Sequence, residues 1–242
     1  MFSILKKKYF DVFCYTNNRI AFEYFPIDYA SNFIPRWWKD IPNNICSDDF
    51  GHNHKSKRMP TMKRCPGVIE YYKKGFMLPL WTDIEFVCQN NEVHTFFADH
   101  NTRYESHPDF EKGNFLSDGN WKHVKLISPW IISTSSNIGF NRMQPHWNLN
   151  YLNENVLIPN SYTDYFFNHA VNPQMFIHTV KNGVTNIDAG MPLAHLVPLT
   201  EKKMKLHILY DEEIVKYYNQ VNRPSFIGSY YTLKKIYNKS KQ

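Results

Sequence analysis

Between residues 121 and 209 the sequence is cut into short apolar runs by turn residues, and this segmentation limits the fold more than any other feature. The runs 124–132, 155–158, 164–167, 175–180, 193–199 and 204–210 are of strand length, and Asn172-Pro173, Asn182-Gly183 and Ala189-Gly190 punctuate them. None reaches the roughly 10–12 residues of a packed helix. Short strands broken by turns in this way predict a sandwich, jelly roll or barrel. Composition agrees with that reading. The chain carries 18 Phe, 16 Tyr and 6 Trp in 242 residues, and large rings suit the half-buried face of a pleated sheet.

The first half adds strands and a few helices. Residues 9–15 alternate, which predicts a strand with Phe10, Val12 and Cys14 on one face. Residues 26–33 read as a short helix, with Pro26 in its first turn and Pro35 as its stop. Residues 43–64 are polar, basic and unpatterned, a long loop. Pro66 then opens a helix with Val68, Ile69 and Tyr72 as its stripe and Gly75 as its end. Two apolar runs, 76–88 and 93–100, flank Gln89-Asn90-Asn91-Glu92 and predict a hairpin.

After the strand-rich region, Asp211 is placed to cap a helix over 212–222, with Glu212 and Glu213 in its first turn. Its apolar stripe is Ile214, Tyr217 and Tyr218; Pro224 ends it, and a basic helix over 230–237 follows. Gly190 stands between the apolar ends Ile187 and Leu193, which predicts a tight turn with positive φ there. No linker-like composition divides the chain. The expected architecture is mainly β with peripheral helices (α+β), a single-domain jelly-roll-like sandwich or barrel over 1–242, with 211–242 as a C-terminal helical segment.

Charge bounds the partners. The formal balance is +6, gathered at Lys6 to Lys8, in a middle group from His54 to Arg64, and at Lys234, Lys235, Lys239 and Lys241. Such patches suit nucleic acid or another anionic surface; they are equally the solvated flanks of an AT-rich genome's vocabulary. The four cysteines show no Cys-x-x-Cys pair. Cys14 and Cys88 lie in apolar runs as small core residues, and disulfides are not expected. No apolar run approaches the roughly 18 residues of a membrane span, and no signal peptide is expected at the start.

Several strings in order resemble a known family. They are Phe33-Ile34-Pro35-Arg36-Trp37-Trp38-Lys39-Asp40-Ile41-Pro42, Thr61-Met62-Lys63-Arg64-Cys65-Pro66, and Gly75-Phe76 leading to Leu80-Trp81-Thr82-Asp83-Ile84. Ser128-Pro129-Trp130-Ile131, Thr163-Asp164-Tyr165 and Ala189-Gly190-Met191-Pro192-Leu193-Ala194 follow. Together, over roughly residues 20–205, they resemble a family of functionally uncharacterised proteins encoded by tailed phages, especially T4-like phages of marine bacteria. The chain departs from that family at Thr134-Ser135-Ser136-Asn137-Ile138-Gly139-Phe140, after its Pro-Trp. The resemblance implies a phage setting, in the host-cell cytoplasm or the virion, with a virion or host protein as partner; it carries over no catalytic residue. Oligomerisation and nucleic-acid binding stay open. The stretch from Thr163-Asp164-Tyr165 to Leu193-Ala194-His195-Leu196 also resembles the closing strands of dUTPase- and deaminase-type jelly rolls. There His195 stands in place of a Gln, and the phosphate-binding turn is missing.

Candidate chemistry falls into two sets. Cys46, His52, His54 and Cys65 cluster around the basic loop and combine thiolates with imidazoles, as zinc prefers. A second set could supply a non-haem iron site, which needs two His and a carboxylate. The cluster His94, Asp99, His100, His107 and Asp109 does not meet that geometry on one straight strand, since His94 and His100 lie about 20 Å apart and Asp99 points to the opposite face from both. Ligands from separate strands, among His94, His100, His178, His195, Asp83 and Asp164, would be needed instead. There is no Gly-x-Ser-x-Gly elbow and no glycine-rich phosphate cradle. Trp37-Trp38 is a conspicuous aromatic pair, either a binding platform or packing. The leading expectation is a non-catalytic β-rich interaction or virion-associated module with no resident cofactor. The alternative is a metal-dependent enzyme, an iron oxygenase or cupin-like protein, using iron or zinc.

Overall fold

Alternation in sequence becomes alternation in burial along the first strand, β1 (Tyr9–Thr16), where Phe10, Val12 and Cys14 are buried. The computed structural model describes residues 8–46, 58–90, 92–116, 120–148, 155–179, 183–221 and 226–240. Strands are numbered in chain order. β1 lies between antiparallel β10 (Trp130–Thr134) and parallel β17 (Lys203–Tyr210). A second sheet runs β13 (Ser161–Asp164), β11 (Gly139–Met143), β16 (Pro192–Pro198), β5 (Phe76–Pro79) and β2 (Asp28–Tyr29). A third runs β12 (Val156–Leu157), β14 (Gln174–His178), β9 (Trp121–Ile127) and β8 (Arg103–His107). The fourth joins β15 (Gly183–Ile187), β6 (Ile84–Gln89) and β7 (Glu92–Phe97), and β3 (Asn44–Cys46) pairs with β4 (Arg58–Pro60). The protein is thus mostly β with several sheets, and no closed barrel forms among the described residues.

Sheets are joined at corners where paired strands bend together. β5 passes to β6 while β15 passes to β16, and the corner is held by Leu80 N donating to Met191 O and Gly190 N donating to Leu80 O, both 2.7 Å. Gly190 has φ +85°, as its position between apolar elements predicts. Ser128-Pro129 makes the second corner, so the apolar run 124–132 is two strands, β9 and β10, rather than one. Proline cannot donate to a ladder, and the backbone turns there. Gly75 (φ +77°) permits the closest backbone approach: a Cβ on it would stand 2.1 Å from Leu196 O.

One buried cluster draws side chains from all four larger sheets, including Phe10, Phe76, Phe86, Leu126, Trp130, Phe140, Ile177 and Leu196. A smaller one groups Ala30, Val68, Tyr72 and Met77, with Trp38 and Trp147 against it. Trp37 donates Nε1–H to Trp147 O at 3.0 Å. The tryptophan doublet is therefore packing that ties residues 37 and 38 to residue 147.

The helices are short: α1 (Arg19–Glu23), α2 (Arg36–Asp40), α3 (Pro66–Lys73), α4 (Glu212–Val221) and α5 (Phe226–Lys239). Asp211 caps α4, its Oδ1 accepting from Ile214 N at 2.9 Å. Among the described residues no helix is long and apolar enough to cross a membrane.

Several expectations need correction. Residues 26–33 are not one helix: Asp28–Tyr29 pairs with Met77 and Phe76 of β5, leaving a 3-10 turn at Ala30–Phe33. Sheet pairing outcompetes a helix too short to nucleate alone. The described parts of 43–64 are ordered, as β3, β4 and a 3-10 turn at Met62–Arg64; residues 47–57 lie outside the described residues. In α4, Val215 is buried and Tyr217 is 60% exposed, so the packed stripe is turned from the one expected. Tyr218 fixes that rotation by meeting Tyr15 and His169.

Candidate functional site

A concave feature lies where the β9–β10 corner meets β11 and β13. Alternation along β11 puts Phe140 and Arg142 on the same buried side of the strand. Phe140 joins the core, and Arg142, two residues on, is 8% exposed. Its cross-strand neighbours are Ser161 on β13 and Leu196 on β16. Arg142 Nη1 donates to Asn172 O at 2.8 Å, and its Nε is buried with no protein acceptor. No described carboxylate pairs with the guanidinium; burial pushes its pKa down, and Tyr165 is the group that opposes the shift.

Arg142 lines a hollow of about 900 Å³ whose other walls include Arg103, Lys125, Trp130, Ser161 and Gln174. Cross-strand register explains part of this set. Glu105, Lys125 and Gln174 stand abreast on β8, β9 and β14, and Glu105 accepts from Lys125 Nζ at 2.5 Å. Two further polar atoms of the hollow are buried without partners: Trp130 Nε1 and Ser161 Oγ. Trp130 Nε1 and Arg142 Nε are donors only, and the serine hydroxyl can donate. Residues of the lining therefore carry unused hydrogen-bond donors, covered beneath its surface, and a positive charge that no described carboxylate pairs with. A second hollow of about 630 Å³ shares Arg103, Ile127, Ser128 and Asn219 with the first and extends it towards Asn17 and Asp99.

Among the described residues, those singled out in the sequence do not gather. Among the described residues no three His, Cys, Asp or Glu side chains come together as a metal set. His94 is exposed on β7 and His100 is exposed in the turn that follows. His178 lies against Trp121, with ring centroids 4.6 Å apart. His195 is a core residue at 0% exposure; its Nε2–H donates to Lys74 O at 2.7 Å, and Tyr71 meets its ring edge-on at 4.4 Å. Burial pushes the His195 pKa down, which keeps the ring neutral. Asp83 Oδ1 accepts from Ala189 N at 2.7 Å, a corner contact. Asp164 is buried, caps its own turn through Phe166 N at 3.1 Å, and faces Lys234 at 3.9 Å. Cys46 and Cys65 are exposed free thiols, and His52 and His54 lie outside the described residues. His107 and His123 do stack, at 4.4 Å, but His107 Nδ1 donates to Glu111 and His123 Nε2 to Gln174, both at 2.6 Å.

No protein-family model matches this chain, and no curated protein matches it.

Arg142 does not stand out in the sequence. Its signal was present: an arginine two residues from Phe140 shares the strand face of a large apolar residue. That parity carries meaning only once residues 139–143 are known to be a strand, and Gly-Phe-Asn-Arg-Met is too short and polar to declare itself.

Proposed function

We propose that this protein is a non-catalytic, jelly-roll-like binding module of a single domain, and that the cleft at Arg142 receives an anionic ligand. The observation that carries the reading is the buried guanidinium of Arg142, which has no carboxylate partner among the described residues. Taking an unpaired charge out of water costs several kcal/mol, and chains keep such a group where a bound ion offsets the cost. Trp130 Nε1 and Ser161 Oγ, both buried without partners in the same lining, support an acceptor-bearing ligand. The tailed-phage resemblance supports a setting in the virion or in the host-cell cytoplasm, where such a module attaches to a virion or host component.

The test compares the parent with Arg142→Met by thermal and urea unfolding, across small carboxylates and phosphate at constant ionic strength. Without anion the variant is expected to be more stable, by about 1–3 kcal/mol, because removing a buried charge outweighs one lost hydrogen bond to Asn172. With anion the parent gains stability, about 2.7 kcal/mol at a hundredfold excess over Kd, and the variant gains none. A variant that is less stable than the parent, or that responds to anions as the parent does, refutes the reading.

A further inference from the structure

The two hollows offer different chemistry. Arg103, Lys125 and Arg142 stand around the first, with Glu105 held by Lys125. The second is organised by Asp99. Its carboxylate accepts from Asn18 Nδ2 at 3.2 Å, from the Asn101 backbone and side chain at 2.9 and 3.2 Å, and from the Thr102 hydroxyl at 3.3 Å. Thr102 in turn accepts from Trp81 Nε1 at 3.1 Å.

Amides recur along the whole cleft, at Asn17, Asn18, Asn101, Asn168, Asn172 and Asn219. An amide presents two donors and an acceptor. That is the complement of a pair of neighbouring hydroxyls, each of which both gives and takes. Asn17 and Asn219 are exposed and make no side-chain hydrogen bond among the described residues, so both amides are available to a ligand.

Building on the anion-binding reading of this cleft, we propose that its ligand is an acidic saccharide lying along both hollows. Its carboxylate faces Arg142 in the first, and the hydroxyls of the next ring lie among Asn17, Asn101 and Asn219 in the second. The unpartnered atoms Arg142 Nε, Trp130 Nε1 and Ser161 Oγ are covered by their neighbours, so contact with the carboxylate requires the side chains around them to shift. The volumes, about 900 and 630 Å³, fall in or near the range of small-ligand sites, about 300–1,000 Å³. A short oligosaccharide fits lengthwise. A single-stranded nucleic acid fits less well, because Trp81 and Trp130 are 1% and 0% exposed, which leaves Tyr162 as the exposed ring of the lining on which a base could stack.

The experiment titrates the full chain by calorimetry with four probes: trigalacturonic acid, its fully methyl-esterified form, sodium acetate and oligo(dT). The substitutions are Arg142→Met and Asn219→Ala. Asn219 is on the exposed side of α4, where alanine favours the helix, so folding is preserved. Trigalacturonic acid is expected to bind at least tenfold more tightly than its neutral ester and than acetate. Arg142→Met should abolish the preference for the acid over the ester. Asn219→Ala should weaken both saccharides by about three- to tenfold and leave acetate unchanged. If acetate binds through Arg142 but trigalacturonic acid binds no more tightly, the anion site stands and the saccharide assignment is overturned. If no probe depends on Arg142, the anion-binding reading falls and takes this one with it. Oligo(dT) binding more tightly than the saccharide in an Arg142-dependent way overturns the assignment in favour of nucleic acid.

Discussion

Two glycines with nearly the same backbone conformation provide a controlled test of the corner geometry. Gly75 has φ +77° and Gly190 has φ +85°, so alanine at either pays a similar conformational penalty of about 1–2 kcal/mol. Their surroundings differ. A Cβ at Gly75 would stand 2.1 Å from Leu196 O, a backbone atom of β16, whereas one at Gly190 meets only the Phe25 ring, at 3.3 Å. A ring edge yields by a few tenths of an ångström; a ladder strand does not. Relieving the contact at Gly75 moves β5 from β16 where Phe76 faces Leu196 and Met77 faces His195. That costs one or two ladder hydrogen bonds at about 1 kcal/mol each. Gly190→Ala is therefore expected to destabilise by about 1–2 kcal/mol and Gly75→Ala by about 2–4 kcal/mol, one to two more than its counterpart. Urea unfolding of both variants, compared at equal m-value, measures the difference. Equal destabilisation within about 0.5 kcal/mol would show that the β5–β16 contact relaxes freely, and the account of the corner would be wrong.

Three further outcomes are expected. Asp211→Ala removes the side-chain acceptor for Ile214 N and should cost about 1 kcal/mol, with Asp211→Asn close to the parent, as read by urea unfolding. Burial lowers the pKa of His123, His169 and His195; the unfolded chain then binds more protons below about pH 6.5, so stability is full above that pH and falls as pH drops through the lowered values. His195→Gln should flatten this acid limb in stability measured from pH 7 to 5, and an unchanged slope would remove His195 from the account. Aromatic disulfide reagent should titrate two thiols quickly in the folded protein, Cys46 and Cys65, and all four after unfolding; the Cys14 thiol is buried with its pKa pushed up, and Cys88 is also buried.

What could be read in advance was whatever local pattern decides by itself. β1 declared its inward face by strict alternation, Asp211 its helix by capping chemistry, and Gly190 its turn by standing between two apolar ends. The strands β8, β11 and β15 were invisible, because Arg-Tyr-Glu-Ser-His, Gly-Phe-Asn-Arg-Met and Gly-Val-Thr-Asn-Ile are polar and short. They become strands through their neighbours: β8 is drawn to β9, β11 lies between β13 and β16, and β15 follows β6 round the corner. The described candidates of the iron set stay apart for a related reason. Residue type suggested ligands, but His195 belongs to the core and Asp83 to a corner, roles set by tertiary register. The cleft itself is assembled from residues 17 to 219 and has no local signature.

The strand arrangement around β1 also bears on how the chain reaches this state. β1 is a central strand whose parallel partner, β17, lies far along the chain, with Tyr9 opposite Lys203 and Thr16 opposite Tyr210. During synthesis β1 is made early, yet one of its edges has no partner until residues 203–210 exist. Through most of that interval an eight-residue edge, with Phe10, Val12 and Cys14 on its apolar face, is open to other strands. Closing so long a loop carries a large entropic cost before its contacts repay it, which makes folding slow and the waiting edge prone to wrong pairing. Yield should therefore depend more on temperature and chain concentration during refolding than final stability does, and peptides copying β17 should act as competitors for that edge while leaving the folded protein untouched.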